Sequence, residues 1–163
     1  MEYELVKIEN LSGKGASIYT LRPIDEENSL FDNFVLNNKT KYKEEVQDIY
    51  KRLKLIGQQF GLREQFIKIN EGLPGDGVIA LYDDPESNLR LYGIQYGKTL
   101  LIIGDGGFKP KSISRLQDDP KLKKENFLLR NLSAQITQRM RDKEIEINDD
   151  FTEFLGDNIF TIE

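Results

Sequence analysis

The sequence contains no cysteine and no histidine. Without cysteine the chain can form no disulfide bond, no thiolate metal site and no cysteine nucleophile. Without histidine, Ser-His-Asp triads and most zinc enzymes are excluded. Any acid–base chemistry therefore falls to Asp, Glu, Lys, Arg or Tyr, and we expect neither a metal nor a cofactor.

Long apolar runs are also missing, because no stretch approaches the roughly 18 apolar residues of a membrane span. The first eleven residues, MEYELVKIENL, carry acids and lack the apolar segment of a secretory signal. A length of 163 residues with 38% hydrophobic residues predicts one domain with a sizeable core. We therefore expect a cytoplasmic protein with no membrane partner.

The net charge of −5 is distributed unevenly along the chain. Residues 87–124 hold eight Lys or Arg against three Asp or Glu, whereas residues 142–163 hold one Lys against eight acids. The basic segment is either an ordinary solvated face or a surface that binds phosphates. Its cations outside the strands predicted below are Lys98, Lys109, Lys111, Arg115, Lys121, Lys123 and Lys124.

The first third of the chain predicts a β-hairpin followed by two helices. Residues 3–22 contain two segments of alternating polarity separated by a glycine-containing turn. Ser29 can cap a short helix, and Thr40 can cap a longer one whose apolar stripe continues to about Phe60. Gly61 is a suitable C-terminal stop. The two helices predict an αα-hairpin.

The middle of the chain predicts a three-strand antiparallel meander. Its first strand is Val78 to Tyr82, and the next two lie in NLRLYGIQYGKTLLIIGDGGFKPK, residues 88–111, with a tight turn at Gly97-Lys98. The apolar run from Leu100 to Ile103 indicates a strand buried on both faces. The glycine run at residues 104–107 predicts a β-turn or bulge that ends this strand in a flexible, basic exit.

A helix is predicted from Asp118, Asp119 or Pro120 to about Asp142, followed by a short strand at Ile145 and Ile147. The predicted fold is thus α+β: one domain over residues 1–163, with its core at about 1–147 and an acidic tail at 148–163. Apolar residues in the tail indicate that it packs on its own domain or on a partner. The predicted apolar stripe of the helix is Leu122, Phe127, Leu128, Leu132, Ile136 and Met140.

Arg90 and Tyr92 share one face of their strand, since they are two residues apart. If Lys109 and Lys111 follow directly after the end of the adjacent strand, all four side chains can lie close together. A guanidinium can hold a phosphate through two hydrogen bonds, and a tyrosine can stack on a base or move a proton. The alternative is a polar pair on a half-exposed sheet.

The order of hairpin, two helices, meander and helix resembles the RelE/ParE/HigB superfamily of bacterial toxins, and more narrowly its HigB-like, phage-derived branch. Leu89-Arg90-Leu91-Tyr92 matches the Arg and aromatic of the family's third strand. Gly107-Phe108-Lys109, with Lys111, matches the aromatic and lysines that end the fourth. The resemblance covers about residues 29–141.

This resemblance implies a ribosome-dependent messenger-RNA endonuclease, held inactive by a cognate antitoxin of helix-turn-helix type. It also implies metal-free cleavage in which the ribose 2′-OH attacks and a cyclic phosphate remains. Lys109 or Lys111 would deprotonate the 2′-OH or hold the phosphate, and Tyr92 would orient the nucleotide or assist as an acid. Arg90, with Arg115, would stabilise transition-state charge. The expected RNA-binding residues are Lys98, Arg115, Lys121, Lys123 and Lys124.

Two other functions stay open. The first is a non-catalytic protein-interaction module on the same fold, which binds a partner through the meander edge or the C-terminal helix. The second is a DNA- or RNA-binding domain without cleavage, which the acidic net charge disfavours.

Overall fold

The computed structural model describes residues 1–69, 71–82, 84–110 and 119–163. They form an α+β fold, as predicted, with a six-stranded mixed sheet and three α-helices. The strands of the six-stranded sheet are β1 (Glu2–Lys7), β2 (Ser17–Pro23), β3 (Val78–Ala80), β4 (Leu89–Tyr96), β5 (Leu100–Phe108) and β8 (Ile159–Thr161). The helices are α1 (Leu30–Asn38), α2 (Lys43–Leu55) and α3 (Pro120–Arg141), and a separate ribbon contains β6 (Ile145–Ile147) and β7 (Phe154–Gly156).

The strand order of the sheet is β3-β4-β5-β2-β1-β8. Strands β3, β4 and β5 form the predicted antiparallel meander, and β1 and β2 form the predicted hairpin. The hairpin and the meander are joined by a parallel pairing of β2 with β5, in which Ser17 lies beside Leu100. The turn between β4 and β5 contains three residues and not the predicted two, because Tyr96 pairs with Leu100.

Both faces of the sheet are buried. On one face, Leu101 and Ile103 of β5 pack in a core with α1 and α2. On the other face, Leu100 and Ile102 pack in a core with α3. The prediction that this strand is buried on both sides is confirmed, and each such side chain contributes about 1.5–3 kcal/mol by leaving water.

The helix boundaries differ from the predictions in one place. Ser29 caps α1 as predicted, because its hydroxyl accepts a hydrogen bond from the backbone N–H of Asp32 and the Asp32 carboxylate accepts one from the N–H of Ser29. Helix α2 begins later than predicted, with Tyr42 and not Thr40 at its N-cap. It continues as a π-helical turn, Ile56–Phe60, which ends at Gly61 with φ +70°.

Two residues of the predicted apolar stripe of α3 are exposed. Leu122, Leu128, Leu132 and Ile136 are buried against the sheet, but Phe127 and Met140 are not. The buried positions recur every three or four residues along one face, whereas Phe127 lies on roughly the opposite side of the helix and Met140 lies on the buried face but in the last turn.

The acidic tail belongs to the fold. The sequence placed the core at about residues 1–147, yet β8 pairs antiparallel with β1, with Phe160 opposite Tyr3. Phe160 is fully buried in the α3-side core, and Ile162 is buried beside it. Of the two predicted possibilities for the tail, packing on its own domain is the one observed.

Replacing Phe160 with Ala should lower the free energy of unfolding by about 3–5 kcal/mol, because a fully buried ring is lost. Leu155→Ala, in the same tail but 49% exposed, should change it by less than about 0.5 kcal/mol. Urea unfolding of both variants tests this. Equal, small effects would contradict the assignment of the tail to the core.

Candidate functional site on strands β4 and β5

The glycine run lies inside strand β5. Arg90 pairs with Gly107 and Leu91 with Gly106, but Gly93 pairs with Ile103, so β5 has an extra residue at this point. The predicted bulge is confirmed, whereas the predicted end of the strand is wrong, because β5 continues to Phe108. A side chain at Gly106 would collide with the carbonyl oxygen of Arg90, so glycine allows the strands to stay paired.

Arg90 and Tyr92 lie together on the α3 side of β4, as predicted. Arg90 Nη1 donates a hydrogen bond to the Tyr92 hydroxyl at 3.3 Å, and its guanidinium carbon lies 5.9 Å from the ring centre. Tyr92 is fully buried. Its ring therefore offers no face to a nucleotide in this conformation, and its hydroxyl contributes to the position of Arg90.

Lys109 follows the end of β5 and contacts the turn before β4. Its backbone N–H donates to the carbonyl of Asn88 at 2.7 Å. Its Nζ donates to the carbonyl of Asp84 at 3.0 Å and to the Ser87 hydroxyl at 3.4 Å. These contacts place the Lys109 ammonium group at this end of the hairpin.

Lys121 contacts two buried carboxylates. Its Nζ lies 2.9 Å from Asp105 Oδ2 and 3.4 Å from Glu125 Oε1. About half of the Lys121 side chain stays exposed (48%), while both carboxylates are buried. Lys121 was predicted as a phosphate contact, but its first role in the structure is to neutralise these acids.

The buried carboxylates change the protonation behaviour of this cluster. Burial, and then repulsion by Asp105, raise the pKa of Glu125 above its ordinary value of 4.5 in spite of the contact with Lys121. Burial lowers the pKa of Lys121, but the hydrogen bond and charge of Asp105 outweigh it, so that this pKa is raised above 10.5. Lys121 is therefore a cation at neutral pH.

Gly107 lies between the two cations Arg90 and Lys121. It is the pairing partner of Arg90, and a Cβ atom built on it would lie 3.4 Å from Cγ of Lys121. Arg90 and Lys121 thus flank a residue that has no side chain. Because Gly107 is buried under the Lys121 side chain, a phosphate at this position would contact the two cations and not the backbone. We call Arg90, Tyr92, Gly107, Lys109 and Lys121 the Arg90 site.

The other predicted RNA-binding residues are dispersed. Lys98 lies in the β4–β5 turn, roughly 20 Å or more from Arg90 along the strand at about 3.3 Å per residue. Lys123 and Lys124 are exposed on α3. Lys111 and Arg115 lie outside the described residues.

Three acids at or near the Arg90 site were not predicted. Glu45 of α2 accepts hydrogen bonds from the backbone N–H groups of Asn88 and Leu89, and so fixes the start of β4. Asp105 and Glu125 hold Lys121. The four-residue spacing of Lys121 and Glu125 on a predicted helix was a usable signal, whereas nothing in the sequence indicated that Glu45 reaches Asn88.

Among the described residues, no group of three or more His, Cys, Asp or Glu side chains could hold a metal ion. No helix in the same ranges is long and apolar enough to cross a membrane. Comparisons of the chain with protein-family models, with curated proteins and with solved structures gave no match. The resemblance to the toxin superfamily therefore depends on sequence pattern and stays a prediction.

Glu125 should make stability depend on pH. Its folded-state pKa is raised, so its contribution to the free energy of unfolding is complete below about pH 4.5 and is lost as the pH rises through the folded-state pKa. The free energy of unfolding of the parent protein minus that of Glu125→Gln should therefore be largest below about pH 4.5 and should decrease as the pH rises above it. Urea unfolding at each pH measures it.

Glu163→Gln, at the exposed terminus, is the control, and its difference from the parent should stay nearly constant. A Glu125→Gln difference that is also constant, or that rises with pH, would contradict the assigned direction of the pKa shift.

Proposed function

We propose that this protein is the toxin of a type II toxin–antitoxin module and cleaves messenger RNA without a metal, on the ribosome. The observation that carries the proposal is the Arg90 site, where Arg90 and Lys121 flank Gly107 at the end of a buried hairpin. Its partners are then messenger RNA and a helix-turn-helix antitoxin, and its compartment is the cytoplasm.

The arrangement of the fold supports the proposal. Two helices separate β2 from the meander, and α3 follows it, in the order that the resemblance implies. The parallel pairing of β2 with β5 brings both halves of the chain into one sheet. Strands β1 and β8 extend this sheet beyond the part that the resemblance covers.

The chemistry that the site favours is attack by a ribose 2′-oxygen on the neighbouring phosphorus. The bond from phosphorus to the 5′-oxygen breaks, a 2′,3′-cyclic phosphate forms, and the leaving 5′-oxygen takes up a proton. Arg90 is positioned by Tyr92 to neutralise the charge that develops on the phosphate oxygens. Lys109 and Lys121 are ammonium donors suited to holding that phosphate, and Lys111 is a candidate for accepting the 2′-OH proton.

Replacing Arg90 with Ala should reduce messenger-RNA cleavage by at least about 100-fold, because one transition-state contact to the phosphate is lost. The protein is induced in bacterial cells without its neighbouring gene, and growth and messenger-RNA 5′ ends are followed. We expect growth arrest and new 5′ ends for the parent chain, and neither for Arg90→Ala.

Arg63→Ala is the matched control. Arg63 also lies against an aromatic ring, with its guanidinium carbon 4.3 Å from the Phe60 ring centre, but it lies outside the Arg90 site. The Arg63→Ala variant should arrest growth as the parent protein does. Normal growth and intact transcripts with the parent protein would refute the proposal.

A second candidate function is a non-catalytic interaction module, favoured here by a surface other than the predicted meander edge and C-terminal helix. An open groove of about 530 Å³ lies between β1 and α1. Val6, Ile8, Val35 and Leu36 are among the residues that line it. The hydroxyl of Thr20, at the same groove, is buried and has no hydrogen-bond partner among the described residues. Such a groove can accept an apolar segment of a partner protein.

The two candidate functions predict opposite results for one pair of variants. In the interaction module, Leu36→Glu places a charge in the groove and should weaken partner binding by at least about tenfold, while Arg90→Ala has no effect. Pull-down of the neighbouring gene product and the growth assay measure the two properties. A Leu36→Glu variant that binds as the parent does would remove the second candidate.

A further inference from the structure

Phe127 is an exposed aromatic residue between two cations on α3. It keeps 43% of its surface exposed. Lys123 Nζ lies 5.6 Å from the ring centre, and the Arg130 guanidinium carbon lies 4.7 Å from it. The spacings of four and three residues place both cations beside the same ring. We call Lys123, Phe127 and Arg130 the α3 patch.

The guanidinium of Arg130 is fixed. Its Nη2 donates to the carbonyl of Glu71 at 3.3 Å, and the Asn126 amide donates to the same carbonyl at 2.8 Å. The Nε of Arg130 is buried and has no hydrogen-bond partner among the described residues. A flat cation is thus held against a flat ring, and little conformational entropy is lost when a ligand binds there.

Among the described residues, two acids near these cations in the chain or in space are largely shielded from solvent. The Glu71 side chain is only 12% exposed and contacts Lys68 at 3.5 Å. Glu125, on the same helix, is buried and faces Lys121. The exposed charge of the α3 patch is therefore positive, although the chain as a whole is acidic.

Two exposed apolar side chains, Ile69 and Leu73, lie two residues before and after Glu71 in the chain. An acidic amphipathic peptide could use such a surface. Single-stranded nucleic acid fits better, because a ring and a guanidinium are both stacking surfaces for bases, and lysines beside them neutralise the backbone.

We propose that the α3 patch binds single-stranded RNA, by stacking a base on Phe127 and Arg130 and by contact of a phosphate with Lys123. The choice of RNA as the ligand rests on the proposed function, but binding at the α3 patch does not require that the RNA is cleaved. Helix α3 carries Lys121 of the Arg90 site six residues, about 1.7 turns, before Phe127. An RNA strand that enters the Arg90 site can therefore continue along α3.

The test is binding of a fluorescent 2′-O-methyl uridine dodecamer, which cannot be cut through its 2′-oxygen, followed by fluorescence anisotropy. Phe127→Ala and Phe127→Leu should weaken binding roughly 5- to 100-fold, whereas Phe127→Trp should bind as well as the parent or better. Lys123→Ala should lower the slope of log K against log salt by about 0.7 in magnitude. Melting temperatures of all variants confirm folding.

Phe60→Ala is the matched control. Phe60 is also 43% exposed and also lies against an arginine, Arg63, on another surface. It should bind the RNA as the parent does. RNA affinity unchanged in folded Phe127→Leu, or lowered equally in Phe60→Ala, would overturn the proposal.

A polyglutamate dodecamer is the second probe. If it binds as tightly as the RNA and with the same dependence on Phe127, the patch binds acidic peptides and the proposal is wrong. The outcome is separate from that of the cleavage experiment. RNA binding that depends on Phe127 without any cleavage in cells would support the α3 patch and refute the endonuclease; Arg90-dependent cleavage with no Phe127 effect would do the reverse.

Discussion

The burial of strand β5 on both faces is the constraint on which the rest of the structure depends. Leu100 and Ile102 pack in the α3 core, and Leu101 and Ile103 pack in the α1–α2 core. A shift of β5 by one residue along its neighbouring strands would therefore move each pair of side chains to the wrong core. The register with β4 and β2 is therefore fixed. The bulge at the glycine run then places Gly107 opposite Arg90.

A second constraint follows from the first. The bulged part of β5 carries Asp105 into the interior, where a carboxylate is costly unless it is paired. Lys121 supplies the pairing, and its contact with Asp105 holds the first turn of α3 over Gly107. The same charge cluster thus orients the helix on the sheet and brings a second cation to Arg90.

Much of the fold could be predicted from the sequence. Three features could be recognised because each depends on residues close together in the chain. They are the alternation of polar and apolar residues in the hairpin and meander, the helix cap at Ser29 and the apolar run of β5. The pairing of β8 with β1 could not be predicted, since it joins residues about 157 apart and only its apolar side chains hint at burial. The assignment of Phe127 to the core was wrong because, at 3.6 residues per turn, this position lies roughly opposite the buried face of the helix.

The candidate site could be predicted less well than the fold. The shared face of Arg90 and Tyr92 follows from strand geometry, but the full burial of Tyr92 depends on α3, which begins about 28 residues later. Lys121 looked like a free surface cation until the fold placed Asp105 beneath it. Charge counts along a sequence do not reveal such pairs, because the partners are brought together only by tertiary structure.

The central claim, metal-free cleavage of RNA through its own 2′-oxygen, is tested most directly by the chemistry of the cut ends. Ribosome-bound messenger RNA is incubated either with the purified parent protein or with the Arg90→Ala variant. The new RNA ends are then characterised by their reactivity to kinase and ligase. The account predicts 2′,3′-cyclic phosphate and 5′-hydroxyl ends that depend on Arg90. Ends with a 3′-hydroxyl and a 5′-phosphate, or uncut RNA, would contradict it.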